Sequence, residues 1–441
     1  MTTSRITRRS ALKAAAAGLT VPFVYRLHSA TAAPSETLLH AAIGAGGMGA
    51  SDINSLTSGK HLKLVAIADV DTKAIAAMKQ KFPDVKVYAD WRELLDKEKQ
   101  IDSVSVSTPD HMHACPTMRA IRMGKHVYTQ KPLTQTIYET RKLTEAAREN
   151  KIVSQMGIQI HSHPVHRSVV ATIQAGAIGK VKEVHSWSGK MWGDLAVKPD
   201  RQDAVPENLN WDLWLGVAAD RPYIGGGYYH PGNWRKRLDF GTGTFGDMGC
   251  HILDPVFGSL GVKDLKSIES EGNAPNATNW GLHAQVKYTF PGSTFTTETV
   301  TVTWYDGNRR PPDEITKLIA PHKLSDQGSI YIGEKGVMYS PYIGPPILLP
   351  VDQFKSYKLP EPGGADHYLQ WVDAARGIGK ASAPFDYAGP LTEMVLLGCL
   401  STRFPNTKLE WDPIKMKVTN VEEANKFVRR INRKGWDEEG F

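Results

Sequence analysis

Short apolar runs alternate with segments of helical spacing through the first third of the chain. Runs at 38–43, 62–68, 85–88, 102–107, 126–129 and 152–156 read as buried strands. Between them, 50–56, 72–82, 91–97, 115–123 and 138–150 carry helical patterns. Such alternation predicts a parallel sheet with helices on both faces, and ligands bound beyond the carboxyl ends of its strands. Further on the pattern changes. Segments 182–188, 283–290, 295–303 and 329–332 read as strands, several with alternating character. Segments 365–376 and 392–402 read as helices, the second expected to pack back on the first domain.

Glycines punctuate the first strand–helix junction as Gly44-Ala45-Gly46-Gly47-Met48-Gly49. The next apolar run ends at Asp69, about twenty residues past the loop. A strand, a glycine turn, a helix and a second strand ending in an acid make a dinucleotide-binding fingerprint. Gly44 permits the tight turn, Gly46 lets a pyrophosphate approach the backbone, and Gly49 permits close helix–strand packing. The helix N-terminus offers N–H groups to phosphate. Asp69 suits a ribose 2′-hydroxyl and repels a 2′-phosphate, which favours NAD over NADP. Asp71 competes for that role.

The N-terminus carries a different message. Thr7-Arg8-Arg9-Ser10-Ala11-Leu12-Lys13 is a twin-arginine signature, followed by a short apolar run and a small-residue cleavage site near Ala30-Thr31-Ala32. Residues 1–33 are therefore expected to be an export signal, and the mature protein periplasmic or otherwise exported. Arg5, Arg8, Arg9, Lys13 and Arg26 supply five of the net seven positive charges, so the remainder carries only about +2. That balance gives no argument for nucleic acid. No stretch is long and apolar enough for a membrane span. Of 441 residues, the roughly 400 past the signal exceed one ordinary core and imply two domains. The three cysteines, Cys115, Cys250 and Cys399, form no disulfide framework and no metal pair, and read as buried small hydrophobes.

Three further motifs follow the glycine loop: Thr108-Pro109 with His113, the pair Lys131-Pro132, and Asp247-Met248-Gly249-Cys250-His251-Ile252-Leu253-Asp254. With these the chain resembles the Gfo/Idh/MocA family (glucose–fructose oxidoreductase, inositol dehydrogenase, rhizopine catabolism) over roughly residues 37–410. The resemblance implies an α/β fold: a Rossmann NAD-binding domain, 37–157, and a C-terminal α/β domain, 158–441, with a large open, mainly antiparallel sheet. It implies oligomer contacts through that sheet. It places Gly44, Gly46, Gly47, Met48, Gly49, Asp69, Thr108, Pro109, His113, Gln130 and Lys131 at the cofactor.

The same resemblance implies catalysis by Lys131, Asp247 and His251. Hydride transfer from an alcohol carbon needs a base and positive charge near the developing alkoxide. Asp247 and His251, four residues apart, share one helical face. His251 is the expected proton acceptor, and Lys131 the group that stabilises the oxygen. Taken singly, Lys131 has a surface alternative, Asp247 a helix-cap alternative and His251 a buried structural alternative. Asp254 is either structural or substrate-facing. The family's usual glutamate is Gln130 here, which keeps hydrogen bonding and loses the charge.

Gln159, His163, Tyr229, Trp234 and Arg235, with Asp247 and His251, are expected to face substrate, since aromatic faces with polar rims suit a polyhydroxylated ring. His161, His163 and His166 lack a carboxylate or thiolate at ligand spacing, so no metal is expected. The expected activity is an NAD(P)-dependent oxidoreductase acting on a hydroxyl of a sugar, glycoside or cyclitol. An exported protein meets little free NAD, so its cofactor is expected to be tightly bound and recycled in place. A redox-neutral NAD-dependent glycosidase and a non-catalytic nucleotide or sugar sensor are the alternatives.

Overall fold

The computed structural model describes residues 36–437 and 439–441. The export segment expected at 1–33 lies outside them. Six parallel strands form the first sheet: β1 (Leu38–Ile43), β2 (Leu62–Ala68), β3 (Lys86–Tyr88), β4 (Ser103–Val106), β5 (His126–Gln130) and β6 (Ser154–Gly157). Their order is β3-β2-β1-β4-β5-β6. Strand order reverses between β1 and β4, and the crevice at that point is where such sheets bind ligands. The helices Gly47–Leu56, Thr72–Lys81, Trp91–Lys97, Ala114–Arg122 and Ile137–Glu149 connect the strands, each close to its sequence-predicted span. Their starts follow local chemistry. Asp71 and Asp90 cap with side-chain oxygens, and Thr136 forms a capping box with Glu139.

A seven-stranded sheet follows: β7 (Val181–Ser188), β8 (Ser267–Glu271), β9 (Gln285–Pro291), β10 (Thr296–Asp306), β11 (Gln327–Gly333), β12 (Val337–Ser340) and β13 (Ile347–Leu349). Its order is β13-β12-β11-β7-β10-β9-β8, antiparallel except where β7 meets β10. The sequence reading did not pick out β8, β12 or β13. In β8 only Ile268 gives an apolar signal, because Glu269 and Glu271 turn outward. One face of this sheet packs on helices, with the Phe245 ring stacked 4.8 Å from Trp304. The other face presents Glu269, Lys287 and Thr299 at its β8–β10 end. At its β11–β13 end, Ile315 and Ile319 of the same chain cover it. The face expected to make oligomer contacts is therefore polar at one end and self-covered at the other.

Two late helices return to the first sheet. Trp371, Val372 and Ala375 of His367–Ala375 pack with Leu38, Leu56 and Tyr128. Phe385–Ser401, longer than the expected 392–402, is held to Ile137–Glu149 by an Arg141–Glu393 ion pair at 2.6 Å. Cys115, Cys250 and Cys399 are free thiols, all buried.

Between β7 and the helix Gly243–Ile252 the chain makes a long excursion. Residues 205–240 of it carry only short helical turns and a small core of their own: Leu209, Trp214, Ile224, Tyr229, Trp234 and Phe240 among them. This strap is sewn to the first sheet by backbone bonds. Thr72 N–H donates to Asn208 O and Asn210 N–H to Val70 O, both at 2.9 Å, and His111 N–H donates to Phe240 O at 3.2 Å. Val70 packs against the strap core.

Candidate active site

A groove of about 350 Å³ opens at the carboxyl ends of β1, β2, β4 and β5. One wall is the glycine loop, Asp69 and the Thr108–Asp110 turn; the other is the strap, with Trp214, His230 and Trp234. Gly44 has φ +89°, and a Cβ there would lie 2.6 Å from Ser107 O. A Cβ on Gly49 would meet Gly44 O at 2.3 Å, while one on Gly47 would meet nothing within 4 Å. So Gly44 and Gly49 close the turn, and Gly47 leaves room. No side chain caps Gly47–Leu56, and no acid lies in its first turn. Its positive end is left for a ligand. Met48 stands half-exposed beside it.

Asp69 is fixed from both sides. Ala45 N–H donates to Oδ2 at 2.7 Å and Asp71 N–H to Oδ1 at 2.9 Å. Burial nevertheless raises its pKa. Asp71 is engaged elsewhere. It caps Thr72–Lys81 through Lys73 N–H, accepts from Asn208 Nδ2 at 2.7 Å, and faces His230 Nε2 at 3.1 Å. Burial works against its charge, yet these partners hold its pKa below the usual range. Two acids that competed in the sequence are thereby separated: Asp69 anchors the glycine loop, and Asp71 latches the strap.

The Thr108 hydroxyl lines the groove, is buried, and has no hydrogen-bond partner among the described residues. An unmet buried hydroxyl, an uncapped helix start and a Gly47 without neighbours fit a bound dinucleotide. Pro109 lines the same wall. His113 serves the frame: its ring nitrogens lie 2.8 Å from Pro132 O and Thr108 O, tying the β4 loop to the β5 loop.

The β5 loop delivers Lys131. Its Nζ donates to Asp247 Oδ1 at 2.7 Å and to Asp247 O at 2.9 Å. Arg235 Nε of the strap reaches the same Oδ1 at 3.3 Å, and its guanidinium stacks 4.2 Å from the Trp234 ring. Burial alone would raise the Asp247 pKa, but Lys131 and Arg235 take it down to about 2. Asp247 sits inside Gly243–Ile252, with Thr242 at the cap position, so it is not the cap. His251 follows one turn later. Burial, then the nearby Lys131 charge, push its pKa down to about 3, so its ring is neutral at neutral pH. Its Nδ1 is buried and unpartnered among the described residues.

Gln130 lines the groove with both polar atoms engaged. Its Nε2 donates to Asp52 Oδ1 and Oδ2 at 3.0 and 2.9 Å, and its Oε1 accepts from Lys131 N–H at 3.2 Å. Asp52 also accepts from Ser107 Oγ at 2.7 Å and Tyr368 Oη at 2.9 Å. Gln159 joins this network from behind, donating to Tyr368 Oη at 2.9 Å. Asp52 was missed in the sequence. The one cue is that it occupies the buried stripe Gly49, Asp52, Ile53, Leu56, where an apolar residue is expected.

The remaining expected substrate residues divide. Trp234 and Arg235 line the groove. Tyr229 does not; it is 2% exposed and packs among Trp211, Trp214 and Phe240. His163 caps Pro164–Gln174 by accepting from Val165 N–H at 3.3 Å. Asp254 takes the structural alternative. It faces His161 Nδ1 at 3.0 Å and accepts from Tyr387 Oη. Burial opposes its charge, but His161 and His166 keep its pKa low. Burial would lower the His161 pKa, but Asp254 outweighs it and raises it. Among the described residues no three His, Cys, Asp or Glu side chains are grouped to hold a metal.

Fold and groove together define a dinucleotide-binding framework, and comparison with known proteins agrees. Residues 39–158 match the family described as oxidoreductase family, NAD-binding Rossmann fold, and residues 165–299 match its C-terminal alpha/beta domain. The chain belongs to the Gfo/Idh/MocA oxidoreductase family. Levoglucosan dehydrogenase of Pseudarthrobacter phenanthrenivorans is 26% identical over 192 residues, 44% of this chain and 40% of that protein. The 1,5-anhydro-D-fructose reductase of Ensifer adhaerens is 36% identical over 135 residues, 31% of this chain and 35% of that protein. The chain thus spans about two fifths of the length of the curated relatives it matches. The WlbA dehydrogenase of Bordetella pertussis, solved with NADH and UDP-GlcNAcA, superposes with a TM-score of 0.61 at 13% identity, over 86% of this chain and 98% of that one. It shares the fold.

Proposed function

We propose that this protein oxidises a hydroxyl of a sugar, glycoside or cyclitol with an NAD that stays bound and returns to its starting redox state within each turnover. The observation that carries the reading is the Lys131–Asp247 pair, 2.7 Å apart beside a groove walled by the glycine loop and Asp69. A bound nicotinamide supplies the hydride acceptor. Lys131 presents an ammonium to the substrate oxygen and lowers the cost of negative charge there. Asp247 holds that ammonium in place and stays ionised. His251 is in the neutral form that can accept a proton. Burial first, and the Lys131 charge second, keep His251 in that form. Asp69 favours a free ribose 2′-hydroxyl over a 2′-phosphate.

The strap supports retention of the cofactor, because it walls the groove and is latched to Asp71. Residency in turn suits export through the twin-arginine signature, where free NAD is scarce. Mass spectrometry of the nucleotide released from native protein tests the first claim: NAD(H) should survive gel filtration, and a stripped protein with millimolar affinity would refute it. A panel of sugars and glycosides then separates the chemistries. A dehydrogenated product paired with a reduced second sugar indicates transfer between substrates. A hydrolysed glycoside without net oxidation indicates the elimination route, which internal recycling also permits. Periplasmic fractions that lose the protein on replacing Arg8 and Arg9 with lysine would support export.

A further inference from the structure

A second cavity, also about 350 Å³, is bounded by Gln135, Thr242, Leu396, Leu400, Arg403 and Phe427. None of its lining belongs to the groove. We propose that it binds a small anion carried on a compact ring, a carboxylate or phosphate monoester, through the guanidinium of Arg403.

The Arg403 guanidinium lies against two rings, 4.8 Å from Trp280 and 4.3 Å from Phe427. Ring contacts take up no N–H donor, and the guanidinium edge is the fork that fits a carboxylate or phosphate. No ion pair or side-chain hydrogen bond engages it among the described residues. Burial pushes its pKa down to about 10, against a smaller opposing pull from Cys399 and Asp239.

The other charges around the cavity are largely matched. Arg430 pairs with Glu139, Lys426 with Glu423, and Asp239 with Arg221. Arg429 lies 4.3 Å from the Tyr138 ring and adds a second cation with no acid partner among the described residues. Leu396 and Leu400 give an apolar floor for a ring body. The volume lies within the range of small-ligand sites. An occupant would also touch the supports of the Lys131–Asp247 pair. Thr242 begins the Asp247 helix, and Gln135, which follows the Lys131 loop, donates to Leu238 O and Gly241 O at 3.1 and 3.0 Å.

The test is calorimetric titration of full-length protein saturated with NAD, so that the pyrophosphate cradle is filled. Inorganic phosphate, glucose 6-phosphate and glucuronate are the probes, and the last two separate phosphate from carboxylate. At least one should bind with a Kd below about 1 mM. Arg403→Lys, which keeps charge and loses the fork, should weaken that binding about tenfold, and Arg429→Ala by about threefold. Arg403→Leu should abolish it. Absence of binding by all three probes at about 10 mM would overturn the proposal. So would binding that Arg403→Lys and Arg429→Ala both leave within about twofold of wild type, since the anion would then sit elsewhere.

Discussion

The Gln130 side-chain amide donates to both carboxylate oxygens of Asp52, at 3.0 and 2.9 Å. That contact gives the amide at 130 a specific buried partner. Asp52 is fully buried, and burial raises its pKa. A second carboxylate at 130 would face it at hydrogen-bond distance with no donor between them. Gln130→Glu is expected to destabilise the protein by about 2 kcal/mol or more at pH 8, and Gln130→Glu with Asp52→Asn to recover most of the loss. Urea denaturation of both variants and of Asp52→Asn completes the cycle.

Asp247 positions Lys131 and keeps its own charge. Asp247→Asn should lower kcat by about a hundredfold or more with a smaller change in KM, because a loosened ammonium costs most where negative charge develops. Steady-state kinetics on the first active sugar measures both. An equal loss through KM alone would assign Asp247 to substrate binding instead.

His230 and Asp71 latch the strap beside the nucleotide groove. His230→Ala should shorten cofactor residence about tenfold while leaving the fold intact. The readout is NAD(H) content before and after gel filtration. Unchanged retention would show that the strap's apolar core alone holds that wall.

The buried Thr108 hydroxyl has no hydrogen-bond partner among the described residues. Thr108→Val should leave thermal stability nearly unchanged, or raise it slightly, while weakening NAD binding about tenfold. A ligand-shift assay with and without NAD separates the two effects.

Four histidines with strongly lowered pKa values weigh against acid stability. His40, His111 and His251 are held near a pKa of about 3 and His367 near about 4, each chiefly by burial. Between those values and the unfolded value near 6.5, only the unfolded chain binds the proton. Stability therefore falls as pH drops below about 6.5, by up to about 1.4 kcal/mol per pH unit for each histidine. His161, Asp52, Asp69, Asp110 and Asp306, whose pKa values are raised, act in the opposite sense and offset part of this loss. Urea midpoints from pH 7 to pH 4.5 should decline steeply, and a flat profile would contradict the assignment.

The nucleotide-binding half was legible because its signals are local. Apolar runs and the glycine turn act within a few residues of chain, and Asp69 follows at a fixed spacing; the Asp71 and Thr136 caps are equally local but were not picked out. The Asp247–His251 spacing needs only helical geometry. The rest depends on contacts between distant segments. Asp52 becomes the partner of Gln130 only when β5 lies beside the first helix, 78 residues away in sequence. Tyr229 had the composition of a sugar platform, and the strap's aromatic core claimed it. His163 became a helix cap, and Asp254 was taken up by His161 and Tyr387. The strap itself has no periodicity, so its path along the groove was invisible until Asp71, Asn208 and His230 met. Sequence determined which backbone would cradle a nucleotide. Tertiary structure decided which polar side chains were left free to face it, because a hydrogen bond or ion pair is settled by whichever partner packing brings within about 3 Å.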